Sequence, residues 1–309
     1  MFELQNLHIV VYLSYDCNLR CSYCVINFDK FVINDSTIDS IIWFIIKNHS
    51  KFKNIFVEFI WWEPLLQRDK ILKFISFNAF PSNIKFQITT NWTIIDDHIY
   101  NSFIVNIDKV NLSFNENYFI NNKLFIKISG IIKDKNNINI NFIYDPKRKL
   151  EDIINNFLFI IKQWYKSINI LPIVLVHKYT KNDFEQLISF INYVFKFKNI
   201  LNIEFIYYIQ EKNNHFEFTI NPDWSILGDN MWTAEQFFEV KNILNKSIWN
   251  ISELSLEDIY EKLRNYSYIN YLKNISLNWN VTQDYENLLF LSNLLKKYND
   301  KISFRNRVD

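Results

Sequence analysis

The chain has 309 residues, 49% hydrophobic and 22% charged. This is close to ordinary globular composition and excludes wholesale disorder. Lys and Arg (34) nearly balance Asp and Glu (33), and a net charge of +1 gives no general reason to seek nucleic acid or an anionic membrane. The longest purely apolar run, residues 41–46, falls far short of the roughly 20 residues a membrane span needs. The first five residues (MFELQ) show neither the basic nor the apolar region of a signal peptide. All three cysteines sit at positions 17, 21 and 24, which rules out a disulfide framework and leads us to expect a soluble, cytoplasmic protein.

Two features of the composition are abnormal. Ordinary usage of about 7% glycine would give about 22 in a chain of this length; there are 2, against 9 tryptophans. Abundant Asn, Ile, Lys, Phe and Tyr, with alanine only at Ala79 and Ala234, point to an AT-rich gene. Such bias explains scarce glycine but not abundant tryptophan.

The predicted elements alternate. An apolar, β-branched strand over residues 7–13 (LHIVVYL) runs into Ser14-Tyr15-Asp16-Cys17. A helix is expected from Ser36, where Ser36-Thr37-Ile38-Asp39 resembles a capping box ahead of an apolar run. Strand 54–60 leads to Trp61-Trp62-Glu63-Pro64 and a helix over 66–77. Strand 84–90 ends at Asn91-Trp92 and is followed by a short helix from Asp96. Strand 110–114, helix 123–133, strand 138–144, helix 151–165, strand 170–177 and helix 181–195 complete the series.

Six strand-then-helix units predict a parallel sheet covered by helices, either open or curved into a barrel. Residues 201–208 read as one more strand. Residues 216–220, with a turn at Asn221-Pro222-Asp223-Trp224, read as a hairpin. From about Thr233 the chain reads as mostly helical. We place a boundary near residue 200, giving a core over 1–200 and an extension over 201–309.

The chemistry concentrates at Cys17-Asn18-Leu19-Arg20-Cys21-Ser22-Tyr23-Cys24. Three thiolates on one short loop can each ligate a different iron of a cubane [4Fe–4S] cluster, leaving the fourth iron open. The alternative is structural zinc, which favours four closed ligands, commonly on two cysteine knuckles. No second knuckle exists, and the five histidines are scattered.

This segment resembles the radical SAM motif, in which three cysteines hold the cluster and an aromatic residue, here Tyr23, precedes the last. The resemblance implies an α/β fold, a partial (β/α)6 barrel with a small α+β extension. It also implies one cluster on Cys17, Cys21 and Cys24, with S-adenosylmethionine chelated to the open iron. Reductive cleavage would yield a 5′-deoxyadenosyl radical, so a one-electron donor such as a flavodoxin or ferredoxin is expected. The loop follows the first strand, as functional loops of strand–helix barrels do.

Other matches end later strands. Trp61-Trp62-Glu63-Pro64 stands where the family has Gly-Gly-Glu-Pro, which receives the methionine amino group through backbone carbonyls and the acidic side chain. Thr90-Asn91-Trp92 resembles the family's Thr-Asn-Gly. Ser113 resembles a fourth-strand serine near the ribose or carboxylate, with ordinary packing as its alternative. The cofactor-binding set is thus Tyr23, Trp61, Trp62, Glu63, Asn91 and Ser113.

Glycine is used where backbone must approach a ligand or turn at φ > 0. Trp92, Trp224 and Trp279 also become ordinary turn residues if read as glycine, and Trp232 and Trp249 follow the pattern. We expect several or all tryptophans to be UGA codons read as glycine in the source organism, as some bacterial lineages do, Trp61 and Trp62 foremost. The alternative is aromatic packing, and Trp43 and Trp164, in amphipathic helical patterns, are the places for it.

Residues 216–226 and 249–260 are similar to the tails of SPASM or twitch radical SAM proteins. No cysteine follows Cys24, so a single cluster is expected. The likeness to SPASM enzymes suggests a peptide or protein substrate. Two functions stay open: a radical SAM enzyme, or a non-catalytic iron–sulfur protein of the same fold that has lost cofactor cleavage.

Overall fold

Residues 84–90 (IKFQITT) alternate apolar and polar side chains, and they form a strand that buries Ile84, Phe86 and Ile88 in the core while Lys85, Gln87 and Thr89 stay partly exposed. The same period of two organises most of the sheet. The structure is a computed structural model, and it describes residues 6–24, 32–60, 62–77, 80–102, 104–114, 122–132, 135–173, 180–205, 215–220, 225–228 and 249–250.

The order is β1 (Asn6–Val11), α1 (Asp35–Asn48), β2 (Ile55–Phe59), α2 (Arg68–Ile75), β3 (Ile84–Thr90), α3 (Asp97–Ser102), β4 (Lys109–Phe114) and α4 (Asn122–Ile131). Then come β5 (Ile138–Tyr144), α5 (Leu150–Lys162), β6 (Ser167–Pro172), α6 (Lys181–Val194) and β7 (Asn202–Phe205). The last described strands are β8 (His215–Ile220), β9 (Ser225–Gly228) and β10 (Trp249–Asn250). Strands β1 to β7 pair in chain order, every pair parallel. The sheet is open, with β7 at one edge. The expected α/β architecture is present, its six strand–helix units in order.

On the other side of β1, β8 adds in parallel, β9 returns antiparallel to β8, and β10 extends it. The expected hairpin is therefore β8–β9, though its turn at 221–224, the helices expected beyond 233 and residues 174–177 of the expected sixth strand lie outside the described residues.

One face of the sheet is apolar and packs against helices. Phe114, Phe125, Phe142, Phe157 and Phe190 are fully buried there, with Phe142 stacked on Phe114 (6.0 Å) and on Phe190 (5.7 Å). The opposite face is polar. His8 Nε2 lies 2.9 Å from Glu58 Oε2, Thr89 donates to Glu58 (3.0 Å), Asn111 to Thr89 (3.1 Å) and Asn139 to Asn111 (3.3 Å). Asn169 donates to Asn141 (2.9 Å). This band of polar side chains crosses β1 to β6.

Several expected boundaries move. Strand β6 begins three residues before the expected start at 170, because its Ser167 and Asn169 face the polar side and break the apolar run. Helix α1 is capped by Asn34, whose Oδ1 accepts from the Thr37 amide (2.8 Å), while Ser36 merely donates to the same oxygen (2.7 Å). Trp43 is 67% exposed and Trp164, which lies beyond the end of α5, is 81% exposed. Neither serves as a core aromatic.

The cap assignment is directly testable. Replacing Asn34 by Ala should cost about 1 kcal/mol, whereas Ser36→Ala should cost a few tenths at most, read from urea midpoints. Equal losses would contradict it.

Candidate functional site at the ends of the first three strands

The loop after β1 is pinned at its base. Ser14 bridges Val32, and the Ile33 amide donates to the Leu13 carbonyl (2.8 Å), so the segment between them leaves and rejoins the sheet at one place. The three cysteines lie on its outgoing limb, all half-buried. Asp16 Oδ1 accepts from the Cys17 amide (2.8 Å), the Leu19 amide donates to Cys17 Sγ (3.4 Å), and the Cys24 amide donates to the Cys21 carbonyl (3.0 Å). Tyr23 is half-buried in the turn between the last two cysteines. Arg20 folds back onto the carbonyls of Cys17 and Leu19.

Two further strand ends meet this loop. After β2, Glu63 is fully buried and its amide donates to the Asp16 carbonyl (3.2 Å). Its carboxylate accepts from the Leu65 amide (2.9 Å), the Thr90 hydroxyl (2.6 Å) and the Asn91 amide (2.7 Å). After β3, the Asn91 side chain donates to Cys17 Sγ (3.7 Å) and to Asn18 Oδ1 (2.9 Å). Thr93 closes the circuit: it receives a hydrogen from Asn18 (2.6 Å) and donates to Asn91 Oδ1 (2.7 Å).

The fold thus joins Cys17, Glu63 and Asn91 in one hydrogen-bonded cluster. Trp62 is buried beside it, its ring 4.6 Å from Tyr15 and 5.5 Å from Tyr12. Trp61 lies outside the described residues. Ser113 is on β4, opposite Asn141 of β5, and enters none of these bonds. Asp16, Asn18 and Thr93 were missed by sequence reasoning, and Thr90 was noted only as part of the Thr90-Asn91-Trp92 motif. Asn91-Trp92-Thr93 reads as a turn, but nothing local says that Thr93 reaches a loop 75 residues away.

Burial governs the electrostatics. It pushes the Cys17 thiol up, opposed by the Leu19 hydrogen bond and reinforced by nearby Glu63. It also raises Glu63 from the ordinary 4.5 to about 7, against the three hydrogen bonds that favour its ionised form. A buried carboxylate with fixed donors is suited to receive a cationic ligand group, which would restore its charge.

Among the described residues no three His, Cys, Asp or Glu side chains converge closely enough to hold a single metal ion. Three half-buried thiols in one pinned loop fit a polynuclear centre, whose ligands bind different metal atoms and need not meet at one point.

No protein-family model matches the sequence, and no curated protein does. The fold is shared with solved structures. Native anSMEcpe with bound AdoMet and Kp18Cys peptide superposes with a TM-score of 0.66 at 15% identity, over 84% of this chain and 82% of that one. A histidine-tagged form of anSMEcpe with bound AdoMet gives 0.65 at 16%, over 84% and 79%. Streptococcus suis SuiB bound to precursor peptide SuiA gives 0.57 at 16%, over 82% of this chain and 64% of that one. At these identities the likeness is one of fold.

Because the folded state raises the Glu63 pKa, it holds a proton between about pH 4.5 and 7 that the unfolded chain has lost. Its contribution to stability therefore falls as pH rises through that window, by on the order of 3 kcal/mol in all. Glu63→Gln has no such titration. The stability of the parent minus that of Glu63→Gln should decrease between about pH 5 and pH 8 in urea unfolding. A difference independent of pH would contradict the assignment.

Proposed function

We propose that this chain is a radical SAM enzyme that holds one [4Fe–4S] cluster on Cys17, Cys21 and Cys24 and binds S-adenosylmethionine beside it. The observation that carries the reading is the Cys17–Asn91–Glu63 cluster: three motif segments far apart in sequence converge at the ends of β1, β2 and β3. When bound, the cluster and S-adenosylmethionine supply a 5′-deoxyadenosyl radical for hydrogen abstraction. The electron comes from a flavodoxin- or ferredoxin-type donor.

The chain's own residues do the positioning. Glu63, with Thr90 and the Asn91 amide holding both carboxylate oxygens, receives the methionine ammonium group. Asn91 steadies the Cys17 sulfur and the loop at Asn18. Tyr23 and Ser113 belong to the same cofactor-binding set, Ser113 toward the ribose or carboxylate. Shared fold with structures that carry AdoMet supports this reading.

Two of these neighbours also hold peptides, which supports a peptide or protein substrate. Nucleic acid is not expected as a partner. No described helix is long and apolar enough to cross a membrane. The absence of cysteines after Cys24 restricts the chain to a single cluster. Residues 1–200 form the catalytic core in this reading, and 201–309 its extension.

Trp61 and Trp62 stand in the glycine positions of the resembled motif. With tryptophan retained, the Trp62 indole packed on Tyr12 and Tyr15 next to Glu63 favours the second reading, a non-catalytic iron–sulfur protein. With UGA read as glycine, that space opens to the ligand.

Anaerobic reconstitution should give about four irons per chain, as one cubane cluster requires. Replacing Cys17, Cys21 and Cys24 together by Ala should abolish iron uptake. Stoichiometric zinc with no iron would overturn the reading. The double change Trp61→Gly, Trp62→Gly should raise affinity for S-adenosylmethionine at least roughly ten-fold, given that overpacking costs about 1–3 kcal/mol. It should also release 5′-deoxyadenosine under dithionite. Equal yields from both proteins at matched iron content would show that the indoles are tolerated.

A further inference from the structure

Among the described residues three non-glycine positions have a left-handed backbone, and all three are tryptophan: Trp62 (φ 47), Trp92 (φ 57) and Trp164 (φ 68). The two glycines, Gly130 inside α4 and Gly228 at the end of β9, do not have positive φ. This inverts what stereochemistry demands. A left-handed backbone drives an L residue's Cβ against the carbonyl that follows, and among coded residues only glycine is free of that contact.

Two of the three positions, 164 and 92, carry a second sign that the indole is out of place. Trp164 follows the Gln163 cap of α5, and its amide donates to the Ile161 carbonyl (2.9 Å) while Gln163 donates to Ile160 (2.9 Å). A left-handed residue just past a helix end, its amide turned back to the last carbonyls, is the usual site of glycine. The side chain there is 81% exposed, so no burial compensates. Trp92 is fully buried, yet its indole Nε1 finds no acceptor among the described residues, although buried indole N–H groups normally find one. Trp62 packs its ring on Tyr12 and Tyr15 beside the buried Glu63 and carries the backbone sign alone.

We infer that residues 62, 92 and 164 are glycine in the protein made by its own cells, the three tryptophans being UGA codons that those cells read as glycine. The placement of residue 164 makes this a property of translation rather than of the site. It ends α5 and has no part in the cysteine loop, so the inference does not depend on the proposed chemistry. It extends the expectation for Trp61 and Trp62 to a position where the sequence alone offered aromatic packing. Trp43, in the right-handed backbone of α1, gives no such sign.

The test has two arms that do not involve iron or S-adenosylmethionine. Codons 62, 92 and 164 should be UGA, and peptides of the protein isolated from its own cells should carry glycine at all three positions by mass. UGG codons, or tryptophan in those peptides, would overturn the inference. In the recombinant chain, Trp164→Gly should favour folding by roughly three- to ten-fold, since glycine's unfolded-chain freedom takes back part of the left-handed gain. The unfolding midpoint should rise by roughly 1–2 °C. Trp164→Ala keeps a Cβ and should gain little. Equal midpoints for the Gly and Ala variants would contradict the left-handed argument, whatever the chain does with iron.

Discussion

The Glu63 carboxylate is the joint on which the site depends. One side chain at the end of β2 accepts hydrogens from its own next turn, at Leu65, and from Thr90 and Asn91 at the end of β3. The amide of the same residue reaches Asp16 at the start of the cysteine loop. Three strand ends that are adjacent only because β1, β2 and β3 pair in parallel are thereby fixed to one another. Burial of this acid is costly unless its oxygens are satisfied, so the arrangement is stable only as a whole. Moving Asn91 would leave Oε2 without its donor and break the side-chain bonds to Cys17 and Asn18, whereas losing Thr90 would leave Oε1 to the Leu65 amide alone.

Much of the fold was legible because the sheet buries one face. The alternation of residues 84–90 and 138–144 gave β3 and β5 with their observed limits, since one apolar face must meet the helices in register. β6 was read late because the apolar run after residue 170 outweighed Ser167 and Asn169, which belong to the polar face. The cap of α1 was misplaced by two residues because Asn34 and Ser36 are both capping residue types, and only geometry shows which oxygen reaches the Thr37 amide. The pairing of β8 with β1 has no local signature at all, being a contact between segments some two hundred residues apart.

The site divides in the same way. Cysteine spacing and the Glu63 and Asn91 segments were visible as motifs at strand ends, and the structure joins Cys17, Glu63 and Asn91. The bonds through Asp16, Asn18 and Thr93 were not visible, because each depends on two loops meeting. The tryptophans show a third case. Composition raised the suspicion and the motif placed it at Trp61 and Trp62, but Trp164 read as part of an amphipathic helix. Its helix ends at Lys162 instead, and the backbone turns left-handed at the residue where a chain reversal is needed.

In the proposed function the loop of Cys17, Cys21 and Cys24 presents a cluster with one iron left for a ligand from the Glu63 side. Mössbauer spectroscopy of the anaerobically reconstituted protein carrying glycine at 61 and 62 tests it most directly, recorded with and without S-adenosylmethionine. The expected result is a cubane spectrum in which one iron site out of the cluster changes its parameters when S-adenosylmethionine is added, the others staying as they were. A spectrum of isolated iron, or a cubane spectrum that S-adenosylmethionine leaves unaltered, would contradict it.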